Sequence, residues 1–212
     1  MSDFANLAVG LVMAGSAAIG ATRKILERRR ARRELRSRPV MEAATDEGNV
    51  VRVTGVVRAG DTTLTAPISG QTCVMYRSRV TDSMWSVRRI QLPKESFAMV
   101  PFALERDDGT RVTIEGRHAL LDLPNMKLPA PKTVDLRERR TLFQKMHGID
   151  NAHSATFEEV VVEEGMKITV AGLMMKDLAE EAPSGEAGYR DNVPAALRLA
   201  GDLEHPLVIG TG

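Results

Sequence analysis

Residues that could perform chemistry are few in this chain of 212 residues. The four histidines are His118, His147, His153 and His205. None belongs to an HExxH pattern or forms another close ligand pair on one helix, and Cys73, the only cysteine, cannot build a cysteine-rich zinc site. The sequence therefore predicts no metal site and no cofactor. Cys73 precedes an apolar run, so we expect it to be a small core residue.

Three pairs of adjacent acidic residues are the remaining candidates for catalysis. They are Asp107-Asp108, Glu158-Glu159 and Glu163-Glu164. Neighbouring side chains on a strand point to opposite faces, so such a pair does not present two carboxylates to one substrate. The sequence also contains no G-x-S-x-G elbow and no Walker phosphate loop. We therefore expect no catalytic residues and no enzyme activity.

Charge is distributed very unevenly along the chain, although the net charge is only +1. Residues 23–38 contain nine basic and two acidic residues, whereas residues 1–22 contain only Asp3. Residues 39–212 contain 20 basic and 25 acidic residues. One short basic segment therefore precedes a mildly acidic body.

The segment Phe4–Ala21 is a run of 18 residues without a formal charge. As a helix it would be about 27 Å long, close to the ~30 Å of a bilayer's hydrocarbon core. The basic residues follow this run, which is the reverse of their order in a secretory signal peptide. The positive-inside rule then places them in the cytoplasm. The sequence predicts a single-pass membrane anchor, with lipid contacting residues 4–21 and the basic flank, and with most of the chain cytoplasmic.

The alternative for this apolar segment is a buried or self-associating helix in a soluble oligomer. Gly10, Gly15 and Gly20 would let two such helices approach closely, which favours self-association in either case.

The arginine-rich segment 23–38 has three interpretations. It could be a topology signal that rests on anionic head groups, a nucleic-acid-binding segment, or the solvated end of a long helix. Its position beside the apolar run favours the first. The chain has only eight aromatic residues and none lies in 23–38, so stacking on nucleic-acid bases is unsupported and nucleic acid is not the expected partner.

The rest of the chain alternates apolar and polar residues with a period of two, as half-buried strands do. An Asp-Gly turn at Asp108-Gly109 predicts a hairpin over 102–114, and Thr133–His147 is predicted to be a helix with Leu136, Leu142, Phe143 and Met146 near one face. Strands are predicted over 51–56, 73–80, 85–92, 102–106, 111–114, 160–162, 167–172 and 207–209, with a turn at 163–165.

These elements predict a mainly β fold, a small antiparallel barrel or sandwich of OB-like type with one accessory helix, preceded by a transmembrane helix. The predicted divisions are an anchor over 1–22, a basic juxtamembrane helix over 23–38, a linker over 39–49 and a β domain over 50–212.

Three blocks of the sequence resemble the GIDE (also called BAM) domain family. Leu64–Arg77, which reads LTAPISGQTCVMYR, resembles the family's SP-x-SG-x-x-C-V-Y-Y-R signature. Pro101–Thr110 is similar to its PF-x-L-x-D-x-x-G block, and Phe157–Gly172 to its E-x-x-I-x-x-G-x-x-V-x-V-x-G block. Trp85 fits the same pattern, and the similarity covers roughly residues 50–176.

The resemblance implies a domain that lies beside a membrane and binds partners or substrates. In the family, ubiquitin ligases of the MULAN kind place this domain between two transmembrane helices and carry ligase activity in a RING. This sequence has one cysteine, hence no RING, and has no second apolar span. The resemblance therefore implies a membrane-tethered interaction or scaffold module without its own catalysis, and the RING-type ubiquitin transferase label would lack its chemical basis.

Within this resemblance, most of the matched residues are expected to be structural. These are Pro67, Gly70, Cys73, Tyr76, Trp85, Phe102, Gly109, Gly165 and Gly172. The expected contacts for an unknown protein partner are four arginines that could form a basic face on an acidic domain. They are Arg77, Arg79, Arg88 and Arg89, and the competing interpretation is an ordinary solvated strand face.

Overall fold

A computed structural model describes residues 25–41, 47–82, 94–124, 126–127, 133–149, 155–177, 196–201 and 205–211. The predicted anchor over 4–21, the predicted strand over 85–92 with Trp85, Arg88 and Arg89, and His153 lie outside the described residues. No helix within the described ranges is both long enough and apolar enough to cross a membrane.

The chain is mainly β, as the sequence predicts, and contains two helices in its described part. In chain order the elements are α1 (25–37), β1 (Val50–Ala59), β2 (Leu64–Thr65), β3 (Thr72–Cys73), β4 (Met75–Asp82), β5 (Lys94–Met99), β6 (Phe102–Glu105), β7 (Arg111–Gly116), β8 (Ala119–Asp122), β9 (Met126–Lys127), α2 (Val134–Met146), β10 (Ala155–Val162), β11 (Lys167–Asp177), β12 (Ala196–Gly201) and β13 (Leu207–Thr211).

Five strands close into a barrel in the order β1-β6-β7-β12-β11, and β11 returns to β1. Closure rests on the long strand β11. One of its edges pairs with β1 from Val50↔Leu173 to Val56↔Lys167. Its other edge pairs with β13 in its first half and with β12 in its second. Because the ring closes, each of the five strands is paired with a neighbouring strand on both sides.

The apolar alternation seen in the sequence is the inner wall of this barrel. Val51, Val53 and Val57 of β1 point inward, and so do Ile168 and Val170 of β11. Facing positions from the other strands complete the core, which consists mostly of branched aliphatic side chains.

Most pairings are antiparallel, as expected, but two are parallel: β7 with β12, and β8 with β13. Within the described strands, these two pairs are the exceptions to the mostly antiparallel arrangement that the sequence predicts. Each parallel pair joins strands that are far apart along the chain, since Leu197 lies opposite Val112 and Leu207 lies opposite Ala119. A local turn cannot make such a connection.

Three glycines make room for one leucine at one place in the barrel. A Cβ added to Gly116 or Gly172 would lie 2.7 Å from a methyl group of Leu207, and one added to Gly201 would lie 2.6 Å from Leu207 Cγ. Leu207 is fully buried. Because β7, β11 and β12 each have a glycine at this place, they leave a space that the side chain of Leu207 on β13 fills.

A second, four-stranded antiparallel sheet has the order β5-β4-β10-β9 and comes from the two long connections of the barrel. The predicted strands over 160–162 and 167–172 are both present, and Gly165 at the turn between them has φ +83°. They do not pair with each other, because β10 joins this second sheet while β11 closes the barrel. The short turn therefore links the two sheets.

Helix α2 matches its prediction closely, since Thr133 caps its N-terminus and His147 follows its last residue. Its predicted apolar face is correct at Phe143, which is buried together with Gln144. The prediction is wrong at Leu142 and Met146, which are 60% and 63% exposed. The physical reason is that the helix docks mainly through Phe143, which packs in a small cluster with Ile68, Val80, Ile149 and Phe157.

The predicted linker over 39–49 begins as a packed segment. Val40 forms a parallel bridge with Arg52, and Met41 is buried in the barrel core. The Met41 amide donates to the Arg52 carbonyl at 3.0 Å. Residues 39–41, which follow α1, are therefore held against β1.

Replacing Gly55 by alanine is predicted to destabilise the protein by about 1 to 3 kcal/mol, because the new methyl group overpacks the barrel wall. A Cβ at this position would lie 2.7 Å from the backbone oxygen of Glu105 on the neighbouring strand, and backbone cannot move aside as a side chain can. Chemical denaturation of Gly55→Ala measures the loss.

Gly60→Ala is the matched control for this change. Its added Cβ would meet only the Pro101 oxygen, at 3.6 Å, which is ordinary van der Waals contact. We expect this variant to unfold within about 0.5 kcal/mol of the unchanged protein. Equal free energies of unfolding for the two variants would contradict the proposed crowding at Gly55.

Candidate functional site

Helix α1 is fixed to the outside of the barrel by a small apolar contact. Its buried residues are Ala31 and Leu35, and they pack on Ala171 of β11 and Val208 of β13. A Cβ at Gly210 would lie 2.5 Å from a methyl group of Leu35, so Leu35 packs directly against the glycine backbone. Two apolar residues among many arginines are enough to give this helix one defined face.

Polar contacts reinforce the same attachment. The Arg28 guanidinium donates to the Leu123 carbonyl at 2.6 Å. Arg32 forms a two-pronged ion pair with Asp122, with nitrogen–oxygen distances of 2.9 and 3.1 Å. Asp122 is the last residue of β8 and Leu123 comes directly after it, so these two contacts attach α1 to the end of β8. Paired guanidinium and carboxylate groups fix geometry better than single contacts do.

The solvent-facing side of α1 is strongly basic. Arg29, Arg30, Arg33 and Arg36 are exposed, and within the described part of the chain they form no ion pair. Glu34, the acidic residue in the last turns of α1, forms an ion pair with Arg38 at 2.8 Å. We call these four exposed arginines the α1 basic face.

The second predicted basic surface is less open than the sequence suggests. Arg77 and Arg79 lie on the same face of β4, but Arg79 donates to Glu95 of β5 at 2.6 Å. Burial lowers the pKa of Arg77 from its usual value, and the nearby Glu95 carboxylate offsets part of that lowering. The structure therefore brings these two arginines together on a partly covered sheet face, while Arg88 and Arg89 lie outside the described residues.

The loop Ala66–Gly70, which contains the Pro-Ile-Ser-Gly motif, wraps around the carboxylate of Glu159. The amide groups of Ile68 and Ser69 donate to its two oxygens at 3.1 and 2.9 Å, and the Ser78 hydroxyl donates at 2.5 Å. Glu159 is fully buried. A buried carboxylate needs such donors to replace water, and successive backbone N–H groups are suited to hold an anion.

Helix α2 closes this loop from outside. Gly70 has φ +77°, and the space where a side chain would stand is filled by Arg139, whose Nε would lie 3.2 Å from an added Cβ. The neighbouring Arg140 lies over the ring of Phe157 at 5.2 Å from its centre. The matched motif residues thus build a junction between the loop, the second sheet and α2.

The other matched residues occupy structural positions. Cys73 and Phe102 are buried, and Tyr76 packs beside Cys73. Burial raises the pKa of the Cys73 thiol to about 11, so it is protonated at neutral pH and is a poor nucleophile. Gly109 has φ +81° in the turn between β6 and β7, where the Gly109 amide donates to the Arg106 carbonyl at 2.9 Å.

The acidic pairs are arranged as strand geometry predicts. Glu158 faces outward and Glu159 inward on β10, so they do not meet. Across the described residues, no three histidine, cysteine, aspartate or glutamate side chains stand close enough together to hold a metal ion. His118 and His205 are exposed, and His147 meets Phe143 edge to face at 4.6 Å.

Sequence reasoning missed the role of Glu159. The signal was present, because a period of two places Glu159 on the same side of β10 as Phe157 and Val161. A glutamate at an inward position requires donors nearby, and the serine in β4 and the turn-forming Pro-Ile-Ser-Gly loop were the candidates. Only the pairing of β4 with β10, in which Ser78 lies opposite Glu159, identifies that serine as a donor to the carboxylate.

Comparison with known proteins gives no match at any level: no family model, no curated protein and no solved structure matches this chain.

Replacing Glu159 by glutamine is predicted to destabilise the protein by about 2 to 3 kcal/mol, since the amide NH₂ group would face a backbone N–H inside the junction. Equilibrium unfolding in urea measures this difference. The size and shape of the side chain are retained, so the loss reports the charge and its hydrogen bonds.

Glu158→Gln provides the control on the adjacent residue. It removes the same charge from the outward face of β10, where the side chain is half-buried rather than fully buried, and we expect a cost of about 1 kcal/mol or less. The structural role of the Glu159 carboxylate would be refuted by equal losses in the two variants.

Proposed function

We propose that this chain is a membrane-anchored, GIDE-like interaction or scaffold module that has no catalysis of its own. The observation that supports the proposal is the α1 basic face, which belongs to a helix docked on the barrel and comes directly after the uncharged segment 4–21. The motif blocks that resemble the GIDE family support the family part of the proposal.

The fixed position of α1 gives the basic residues a defined role in this proposal. Each arginine close to an anionic membrane surface contributes about 1 kcal/mol of attraction. Because α1 is tied to β8, β11 and β13, that attraction acts on the whole barrel rather than on a loose tail. The domain would then lie against the cytoplasmic side of the bilayer in one preferred orientation.

The second sheet and α2 are the proposed platform for a protein partner. They are inserted into the barrel connections, so partner contacts there would leave the barrel intact. A ligase role of the RING type would have to be supplied by another protein, because Cys73 is the only cysteine in this sequence.

A second candidate is an OB-like nucleic-acid binder. If the barrel strands are numbered along the chain, their order around the ring is first, second, third, fifth, fourth, with the third and fifth parallel. This arrangement resembles the five-stranded Greek-key barrel of OB folds, which bind oligonucleotides. Against it, no aromatic side chain in the described ranges is exposed for base stacking.

The anchor is tested by alkaline carbonate extraction of the full chain from membranes, and we expect it to stay in the pellet. The double change Leu11→Arg/Val12→Arg should release it, since each arginine near the centre of a span costs about 2.5 to 3.5 kcal/mol. That cost is comparable to the whole driving force of a short apolar segment, so insertion should fail.

The matched control is Leu142→Arg/Met146→Arg, which adds the same charges to exposed positions of α2 and should leave the protein in the pellet. Extraction of the unchanged chain by carbonate would overturn the anchor. For the interaction role, a partner captured from membranes by the unchanged chain should be lost with the Leu11→Arg/Val12→Arg variant.

The two candidate functions are separated by titrating the purified full chain with a single-stranded oligonucleotide at increasing salt. A nucleic-acid site releases counterions, so its affinity falls steeply as salt rises. We expect no saturable, salt-sensitive binding. A clear salt-dependent affinity would instead favour the OB-like nucleic-acid binder.

A further inference from the structure

A groove of about 520 Å³ runs between α1 and the outer wall of the barrel. Arg32 and Arg36 of α1 form one side, and Arg52 and Thr54 of β1 form the other. Thr169 of β11 lies at its floor. Its size is within the range of small-molecule sites, and three arginines and three threonines contribute hydrogen-bond donors to its lining.

The three arginines of the groove are not equally satisfied. Arg32 is neutralised by its ion pair with Asp122. Arg36 is exposed and forms no ion pair in the described chain. Among the described residues, the Arg52 side chain donates only to the Leu35 carbonyl, at 3.4 Å, and its buried Nε has no hydrogen-bond partner there. Two guanidinium groups therefore have donors to spare beside one carboxylate that is already engaged.

The floor supplies a further donor. Thr54 and Thr169 lie opposite each other in the β1–β11 register, and their hydroxyl oxygens are 2.7 Å apart. One hydroxyl donates to the other, which leaves the proton of the second free for a ligand. This hydroxyl pair lies on the same outward face of β1 as Arg52, two residues away.

We propose that this groove binds a phosphomonoester, supplied either by a lipid head group or by a soluble phosphorylated compound. A phosphate group offers only acceptors and carries a double negative charge, so it matches two unsatisfied guanidinium groups and a hydroxyl donor. An uncharged ligand would leave those charges uncompensated. The site stands apart from the proposed membrane anchor, because its lining residues lie on α1, on the segment that follows it, and on the strands β1, β8, β11 and β13.

The test is calorimetric titration of the full chain in neutral detergent with glycerol 3-phosphate, with glycerol as the unphosphorylated comparison. We expect saturable binding of the phosphate ester only. Arg36→Gln should weaken it about tenfold, the loss of one charge-assisted hydrogen bond. Arg33→Gln removes the same charge from the same exposed helix outside the groove, and should change the affinity less than twofold.

Adding phosphatidic acid to the micelles separates the two sources. Competition with glycerol 3-phosphate assigns the groove to a lipid head group, and unchanged binding assigns it to a soluble phosphate ester; both support the proposal. Absence of binding by either phosphate, or equal weakening by Arg36→Gln and Arg33→Gln, would overturn it. Carbonate extraction tests the membrane anchor independently of phosphate binding. Either proposal can therefore fail while the other is still tested.

Discussion

The pairing of β11 with β1 is the constraint on which the rest of the molecule depends. Seven consecutive residue pairs, from Val50↔Leu173 to Val56↔Lys167, turn an open sheet into a ring. The same strand presents Ala171 to the helix that docks outside and Thr169 to the polar groove. The inward residues of β11 fill the core at the same time. One strand thus positions the barrel interior, the basic helix and the candidate ligand site.

The second sheet depends on a different interaction, the burial of Glu159. Its carboxylate joins β10 to the loop Ala66–Gly70 and to Ser78 of β4, through donors that lie 81 to 91 residues earlier, and α2 packs on the same loop through Arg139. Removing a charge from such a junction is costly because the donors around it would lose their acceptor. The sequence block that resembles the GIDE signature is therefore explained here by architecture: Pro67 and Gly70 shape the loop that receives this carboxylate.

Local signals in the sequence were sufficient for local structure. The Asp-Gly turn predicts the β6–β7 hairpin, and the helical pattern over Thr133–His147 predicts α2 within a residue of its bounds. Partners far apart along the chain were not predictable, because a period of two says which face a residue takes and nothing about which strand lies beside it. The parallel pairing of β7 with β12 and the donors around Glu159 are of this kind. The exposure of Leu142 and Met146 on α2 has the same origin, since helical periodicity does not show whether another element packs over them.

The barrel interior cannot be completely packed until Leu207 has been synthesised, because three glycines leave a space that this leucine fills. Until the ribosome has added residue 207, the strands that carry Gly116, Gly172 and Gly201 lack the side chain that fills the space between them. A nascent chain that ends before this leucine can form its early hairpin but has a hollow where the ring should be packed, and such a void weakens the contacts of the residues that line it. The barrel therefore becomes fully packed only after residue 207 has left the exit tunnel.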